Sequence, residues 1–387
     1  MADTKPSLPD SLRDWKNERR HLQSWEQMRP FFKSKGYDLY KRKANGSGWS
    51  IPWDTPSKLL PDGNGIYGSH RYIPDTTVLC PVVWAARNSR GEDVVLKVVS
   101  CGEEGSNELD ILKFLSREPF KSDPDNHTVP VLEFIKYESY TFVVLPRWGK
   151  CDEPIAQSVA EVFDFCIQVA QGLSFLHRHL IAHLDIAFEN ILMNFLGYEQ
   201  IHRDVLYLDL RGRFPVKYSL IDFGYSRRFP QDTPPSARLV SDMYAGRPHK
   251  APELDLRKPY DPFAADVYQL GKVLISYFYN LTILPGFLKL VQDMTAEESG
   301  QRITMAEVHR RLCELRDECP WDYSWRTVTV HFVAWMKTPT DDDDATVLRR
   351  FMAAQKEEEE ERWRKGEYEA QADRLERVAL KLANTEV

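Results

Sequence analysis

The apolar positions follow two periods along the chain. From Ser11 to Phe32 the residues Trp15, Leu22, Trp25, Met28 and Phe32 fall roughly on one helical face, with Ser11 placed to cap it. Such a face has to pack on something. Up to about Tyr72 the period is lost among Gly46, Gly48, Pro52, Pro56, Pro61, Gly63, Gly65 and Gly68, with Trp49 and Trp53 as aromatic pins. Residues 1–70 therefore read as an N-terminal extension. Strand-like runs follow at Val82–Ala86, at Val94–Val99 after the turn Ser89-Arg90-Gly91, and at Phe142–Leu145 after the run Val129–Tyr137. Between them Asn107–Leu115 carries Leu109, Ile111, Leu112 and Leu115 at helical spacing. The pattern then turns helical, over Ser158–His179, Ala264–Tyr279 and Met305–Cys313. A small β-rich lobe with one main helix, residues 71–146, thus precedes a larger α-helical lobe, residues 150–338. After Lys337 the runs Asp341–Asp344 and Glu357–Glu361 mark residues 339–387 as an acidic, partly helical tail with a solvated face. No repeat at a period of 20 to 50 residues is visible.

Composition narrows this picture. With 387 residues, 42% of them hydrophobic, the chain can bury a full core. Its 51 basic and 58 acidic residues leave a net charge of -7, which supplies no general attraction to nucleic acid or to an anionic membrane. Neither partner is expected. The first ten residues contain no apolar run of the signal-peptide kind, and no stretch reads as a membrane span, so an intracellular protein of the cytoplasm or nucleus is expected. The six cysteines stand apart, without a Cys-x-x-Cys pair or a nearby His at zinc spacing, and read as reduced thiols.

Transferring a phosphoryl group from ATP needs a cation on the phosphates, oxygen ligands for magnesium and a base beside the attacking hydroxyl. Lys97 ends the apolar run Val94-Val95-Leu96-Lys97, and Glu108 opens the helix eleven residues on, within reach of it. A lysine at a strand end is usually just solvated, and a Glu in a first helical turn usually only meets the helix dipole. The run His183-Leu184-Asp185-Ile186-Ala187-Phe188-Glu189-Asn190 sets Asp185 and Asn190 on one loop between a helix and an apolar strand. Ser219-Leu220-Ile221-Asp222-Phe223-Gly224 adds a carboxylate at a strand end followed by a permissive glycine. Ala251-Pro252-Glu253, Asp266-Val267-Tyr268-Gln269-Leu270-Gly271 and Arg302 complete the series.

In order and spacing these motifs resemble the eukaryotic protein kinase superfamily over about residues 72–336, and the chain is similar in overall look to the divergent kinase-like proteins of mushroom-forming fungi. The resemblance implies an α+β, bilobal protein-kinase-like fold. It also implies a protein kinase that transfers the γ-phosphoryl of ATP, with Mg2+, to a serine or threonine hydroxyl of a protein substrate. Lys97 would contact the α and β phosphates, with Glu108 as its helix partner. Asp185 would accept the hydroxyl proton, and Asn190 and Asp222 would hold magnesium. Leu145-Pro146-Arg147-Trp148 would be the hinge, its backbone facing adenine, with Leu145, Arg147 and Val83 beside the nucleotide. Glu253 with Arg302, and Asp266, would be scaffold.

The sequence departs from the family at several points. Counting back from Val83, the three loop-glycine positions hold Thr76, Val78 and Pro81. Leu184 replaces the arginine that clamps an activation-loop phosphate, and Ala187 replaces the lysine near the transferred group. These losses keep a second reading open, a pseudokinase scaffold that binds partners with weak or no catalysis. A small-molecule kinase of the aminoglycoside or choline type shares the Asp, Asn and downstream Asp, but lacks the Ala251-Pro252-Glu253, Asp266 and Arg302 set. Ile201-His202-Arg203-Asp204 offers a competing loop, yet Asp209 rather than asparagine follows Asp204 by five. Choosing Asp185 implies an inserted loop over roughly Leu196 to Phe214.

Overall fold

In the computed structural model the described residues are 8–16, 18–42, 49–50, 81–152, 156, 158–195, 214–241, 250–256, 258–278 and 285–319. The central strand of the small lobe is β5 (Asp93–Cys101), whose alternation sends Val94, Leu96 and Val98 to one face and Val95, Lys97 and Val99 to the other. It pairs antiparallel with β4 (Val83–Asn88) and β7 (Tyr140–Pro146), and β6 (Glu133–Tyr137) flanks β7. The far edge is β1 (Tyr37–Leu39), giving the order β1-β4-β5-β7-β6.

Both faces of this sheet are covered. On one lies α3 (Ser106–Leu115), whose Leu109, Ile111, Leu112 and Leu115 pack with Val99 and Val143. On the other lie α1 (Leu12–Trp15) and α2 (Glu18–Ser34). Their fully buried Trp15, Trp25, Met28 and Phe32 interlock with Trp84, Leu96, Phe142 and Val144. Trp15 meets Trp25 edge-on at 5.5 Å between ring centroids, and Trp25 reaches Trp84 at 5.6 Å. The segment set apart as an extension is therefore corrected in part: residues between 8 and 39 supply the edge strand and much of the core on one face of the small-lobe sheet. Three residues, Tyr37-Asp38-Leu39, are too short to show a strand period, and only their pairing partner Ala86–Asn88 reveals them.

The large lobe is organised by α4 (Val159–Arg178), capped by Ser158, whose hydroxyl accepts the Glu161 amide N–H at 3.2 Å. By length and hydropathy this helix is long and apolar enough to cross a membrane, contrary to the expectation from the sequence. Its Val162, Phe163, Cys166, Leu173 and Leu176 instead form the centre of the lobe core. Helices α5 (Pro262–Tyr277), α6 (Pro285–Met294) and α7 (Met305–Glu318) pack around it, with Asp261 capping α5 and Thr304 capping α7. Two short ladders shape the rim facing the small lobe. One joins β8 (Gly149–Lys150), β10 (Ile191–Met193) and β11 (Tyr218–Leu220), and the other joins β9 (Ile181–Ala182) to β12 (Arg227–Arg228). Between β10 and β11 the inserted loop has a closed stem: Asn194 donates to the Pro215 carbonyl at 3.0 Å and accepts from the Lys217 amide at 2.8 Å. The loop glycine positions Thr76 and Val78, the competing Arg203-Asp204, and the tail at 339–387 lie outside the described residues.

Candidate active site

Lys97 sits directly across the ladder from Val83 on one side and Val143 on the other, so its side chain leaves the sheet toward α3. Glu108, in the first turn of α3, meets it: the Lys97 ammonium donates to Glu108 Oε1 at 2.5 Å and to Asp222 Oδ1 at 2.9 Å. Burial works against the lysine's charge, but the two carboxylates outweigh it and raise its proton affinity above the ordinary lysine value. Burial pushes the Glu108 carboxyl up, since one ammonium shared between two acids does not fully offset its loss of water. Asp222 is the more exposed acid, and Lys97 holds its carboxyl down to about 2. It is thus a carboxylate at neutral pH. Its backbone takes a left-handed φ of 67°, an uncommon conformation for aspartate, and Oδ1 also accepts the Gly224 amide at 3.4 Å.

The loop at Asp185 is held from beneath by α5. Asp266, with no solvent exposure, accepts the His183 amide at 2.7 Å, the Leu184 amide at 2.6 Å and lies 2.9 Å from His177 Nε2. One helical turn further, Gln269 accepts the Ile186 amide at 3.0 Å and donates to the Leu184 carbonyl at 3.3 Å. The Asp185 amide donates to His183 Nδ1 at 3.3 Å, which assigns the ring proton to Nε2, 3.0 Å from the Ile221 carbonyl. Burial keeps this imidazole neutral, its proton affinity pushed below the ordinary histidine value. Asn190 donates through Nδ2 to both the carbonyl and Oδ2 of Asp185, each at 2.8 Å. Both amide hydrogens face Asp185, which leaves the side-chain oxygen of Asn190 as the group available to a cation.

One departure acquires a physical setting. Leu184, 1% exposed and in a left-handed φ of 63°, packs into an apolar cluster of Ala182, Val240, Ala251, Leu254, Tyr260 and Ala265. The segment after Asp222 is thereby tied to the loop by packing, and Val240 and Tyr260 exchange backbone hydrogen bonds at 3.1 and 2.9 Å. Glu253 and Arg302 form a two-pronged pair at 2.6 and 2.8 Å, with the guanidinium side chain wholly buried.

The structure brings together Lys97, Glu108 and Asp222, and separately joins Asp185 with Asn190. Val83 and Leu145, opposite Lys97 and Val95, share the face of the sheet from which Lys97 projects. The Arg147 side chain takes no part in that face. Its guanidinium turns away from that face to donate to the Tyr40 hydroxyl at 3.1 Å and lie over the Tyr40 ring, and its amide donates to the Asp93 carbonyl at 3.4 Å. Continuing the ladder past Pro146 spends the backbone donor, and the residue before β2 (Lys41–Arg42) draws the side chain. Sequence reasoning missed Gln269, although its i+3 spacing from Asp266 puts both on one helical face. It also passed over Gly63, Gly65 and Gly68, which stand in a G-x-G-x-x-G spacing within residues 40–82, the connection from β1 to β4. Counting back from Val83 at fixed distance hid that pattern. Pro81, at the third counted position, instead has its carbonyl bound by the Trp25 indole N–H at 2.9 Å.

Among known families, the one described as the protein kinase domain matches residues 85–343, about two thirds of the chain. The serine/threonine-protein kinase prpf4B of Dictyostelium discoideum is 25% identical over 224 residues, 54% of this chain and 24% of that protein. The serine/threonine-protein kinase ppk8 of Schizosaccharomyces pombe is 30% identical over 151 residues, covering 38% and 23%. The human dual specificity protein kinase CLK1 is 23% identical over 209 residues, covering 50% and 40%. The chain matches between about a quarter and about two fifths of the length of these curated relatives.

Proposed function

Because the chain belongs to the protein kinase family, we propose that it transfers the γ-phosphoryl group of Mg-ATP to a serine or threonine hydroxyl of a protein. The observation that carries this reading is the ion pairing of one lysine with two acids: Lys97 bridges Glu108 on α3 and Asp222 on the large lobe. That arrangement supports a role for Lys97 as the cation that meets the α and β phosphates. Asp222, ionised, and the side-chain oxygen of Asn190 suit a hard cation such as Mg2+. No group of three or more His, Cys, Asp or Glu side chains among the described residues could hold a metal by itself. Two protein oxygens with phosphate oxygens fit a metal that arrives with its nucleotide. When bound, Mg-ATP supplies the phosphoryl group and an ADP leaving group.

Asp185 is the base. Its carboxylate takes the proton as the substrate oxygen bonds to the γ-phosphorus, and the bond to the β–γ bridging oxygen breaks to release ADP. Asn190 and the Asp266–Gln269 brace fix its position. The G-x-G-x-x-G spacing at Gly63, Gly65 and Gly68 is our candidate for the phosphate-covering loop, in place of Thr76, Val78 and Pro81. The test is Mg-ATP binding by calorimetry followed by autophosphorylation, with Asp185→Asn alongside. Nucleotide binding with turnover that Asp185→Asn removes supports a kinase. Binding without turnover moves the chain to the scaffold reading.

A further inference from the structure

The helix that carries Glu108 begins without a capping side chain. Its N-cap is Gly105, in a left-handed φ of 77°, and no side chain accepts from its first amides. A Cβ there would stand 2.1 Å from the Val99 carbonyl oxygen and 2.8 Å from Leu12 Cδ1, so the turn is closed on both sides and one side is α1. The preceding residue, Glu104, is locked to the end of β5 by two backbone bonds with Cys101, at 2.9 and 3.0 Å. Its carboxylate reaches outward and accepts the Leu12 amide at 2.7 Å and the Arg13 amide at 3.1 Å.

The same stretch is fastened at further points. Cys101 Sγ lies 3.5 Å from the Asp10 carbonyl, and the Tyr140 hydroxyl donates to the Pro9 carbonyl. Trp15 is shut among Trp25, Tyr140 and Phe142, with ring centroids 5.1 to 5.9 Å apart. Lys16, at the end of α1, adds a positive charge that bears on Glu108. On the opposite side of α3, Asn107 donates to the Ser226 carbonyl at 2.6 Å.

We propose that residues 9–16 act as an intramolecular clamp on the start of α3, with Glu104 and Leu12 as positioning residues that hold Glu108 in register with Lys97. The inference rests on the proposed role of the Lys97–Glu108 pair. Glu104 touches no reacting atom. It ties the turn that launches α3 to a segment anchored by a buried tryptophan, so the helix cannot swing outward without breaking two charge-assisted hydrogen bonds and the Leu12 contact together. A free N-terminal segment would leave that turn held only by its own backbone and by Asn107.

The experiment uses the full-length chain below its unfolding midpoint. Glu104→Ala removes both acceptors and is expected to raise hydrogen exchange at the amides of residues 108–112 at least tenfold. It should also lower kcat for autophosphorylation about tenfold, with less than a threefold change in KM for Mg-ATP. Glu104→Gln keeps one acceptor oxygen and should recover part of both, while Leu12→Ala should reproduce the exchange change with Glu104 intact. Unchanged exchange in Glu104→Ala overturns the clamp, as does a lower unfolding midpoint with kcat unaltered. Lys97→Met is run in parallel. If it retains activity, the site reading fails, and the exchange measurement still decides the clamp.

Discussion

Replacing Leu184 by alanine tests whether packing does the work that a phosphate and an arginine do elsewhere. Leu184 is 1% exposed within the cluster of Ala182, Val240, Ala251, Leu254, Tyr260 and Ala265. Truncation removes three carbons, worth about 2.4 kcal/mol at roughly 0.8 kcal/mol each. The cavity left behind brings the loss to about 3 kcal/mol, since such sites collapse only in part. Alanine keeps a Cβ, so the cost of the left-handed φ of 63° is common to both proteins and the difference reports packing. Urea unfolding measures it. Because the cluster joins the loop before Asp185 to the segment ending at Glu253, limited proteolysis within residues 230–250 should accelerate in the variant. In the wild type, phosphatase treatment should leave turnover unchanged. Among the hydroxyl residues between Asp222 and Glu253 that could accept a phosphate, Ser226 is fully buried and donates to the His183 carbonyl, Thr233, Ser236 and Ser241 are accessible to differing degrees, and Tyr244 lies outside the described residues. A loss below about 1 kcal/mol would refute the packing argument. So would a tenfold fall in turnover on dephosphorylation that restoring one of those hydroxyls rescues.

Lys97→Met should end Mg-ATP turnover and, by leaving Glu108 buried without its cation, lower stability by about 3 kcal/mol, with Glu108→Leu on the same background recovering most of it in urea unfolding. Asp185→Asn should remove phosphoryl transfer with nucleotide affinity kept, and Asp204→Asn should be nearly silent; the reverse pattern in a steady-state assay would move the base to the inserted loop. Trp25→Ala should cost about 4 kcal/mol in the same unfolding measurement, because it empties the face between α2 and the sheet and frees the Pro81 carbonyl. His183 has its proton affinity depressed by burial, so the stability its neutral ring contributes is complete above pH 6.5 and is lost as the pH falls from there toward its lower folded value. Its imidazole resonance should titrate below 6.5, and a midpoint at or above 6.5 contradicts the buried assignment.

The site was more legible in the sequence than the lobe that carries it. Asp222 and Asn190 flank short apolar strands and Glu108 lies in the first turn of a helix, so their placement follows from element ends that periodicity marks, while Lys97 stands out as the one charged residue in the apolar run Val94–Val99. Asp266 and Gln269 are polar residues on the buried face of α5, and only the spacing of the first drew notice. What could not be read was pairing at a distance. Tyr37-Asp38-Leu39 is too brief to alternate, and its role depends on a partner at residues 86–88. Arg147 was placed beside the nucleotide by its position in the hinge, yet Tyr40, more than a hundred residues earlier, settles where its side chain goes. Glu104 likewise reads as one of two exposed acids in a turn until Leu12 and Arg13 are brought to it.

The connection from β1 to β4 has a consequence for how this lobe tolerates change. Neighbouring antiparallel strands can be joined by two residues, whereas residues 40–82 intervene here. For a flexible connection the entropy of ring closure grows only with the logarithm of length, about 0.6 kcal/mol per doubling, so lengthening a tight hairpin to about forty residues costs roughly 3 kcal/mol. Burying one large aromatic side chain offsets about that much. With Trp15 and Trp25 both fully buried against the sheet, the strand pair can carry an insertion at this joint and still close. Sequence drift should therefore concentrate in the length of residues 40–82 and spare the aromatic residues of α1 and α2, which act as ballast for a strand pair with a long connection.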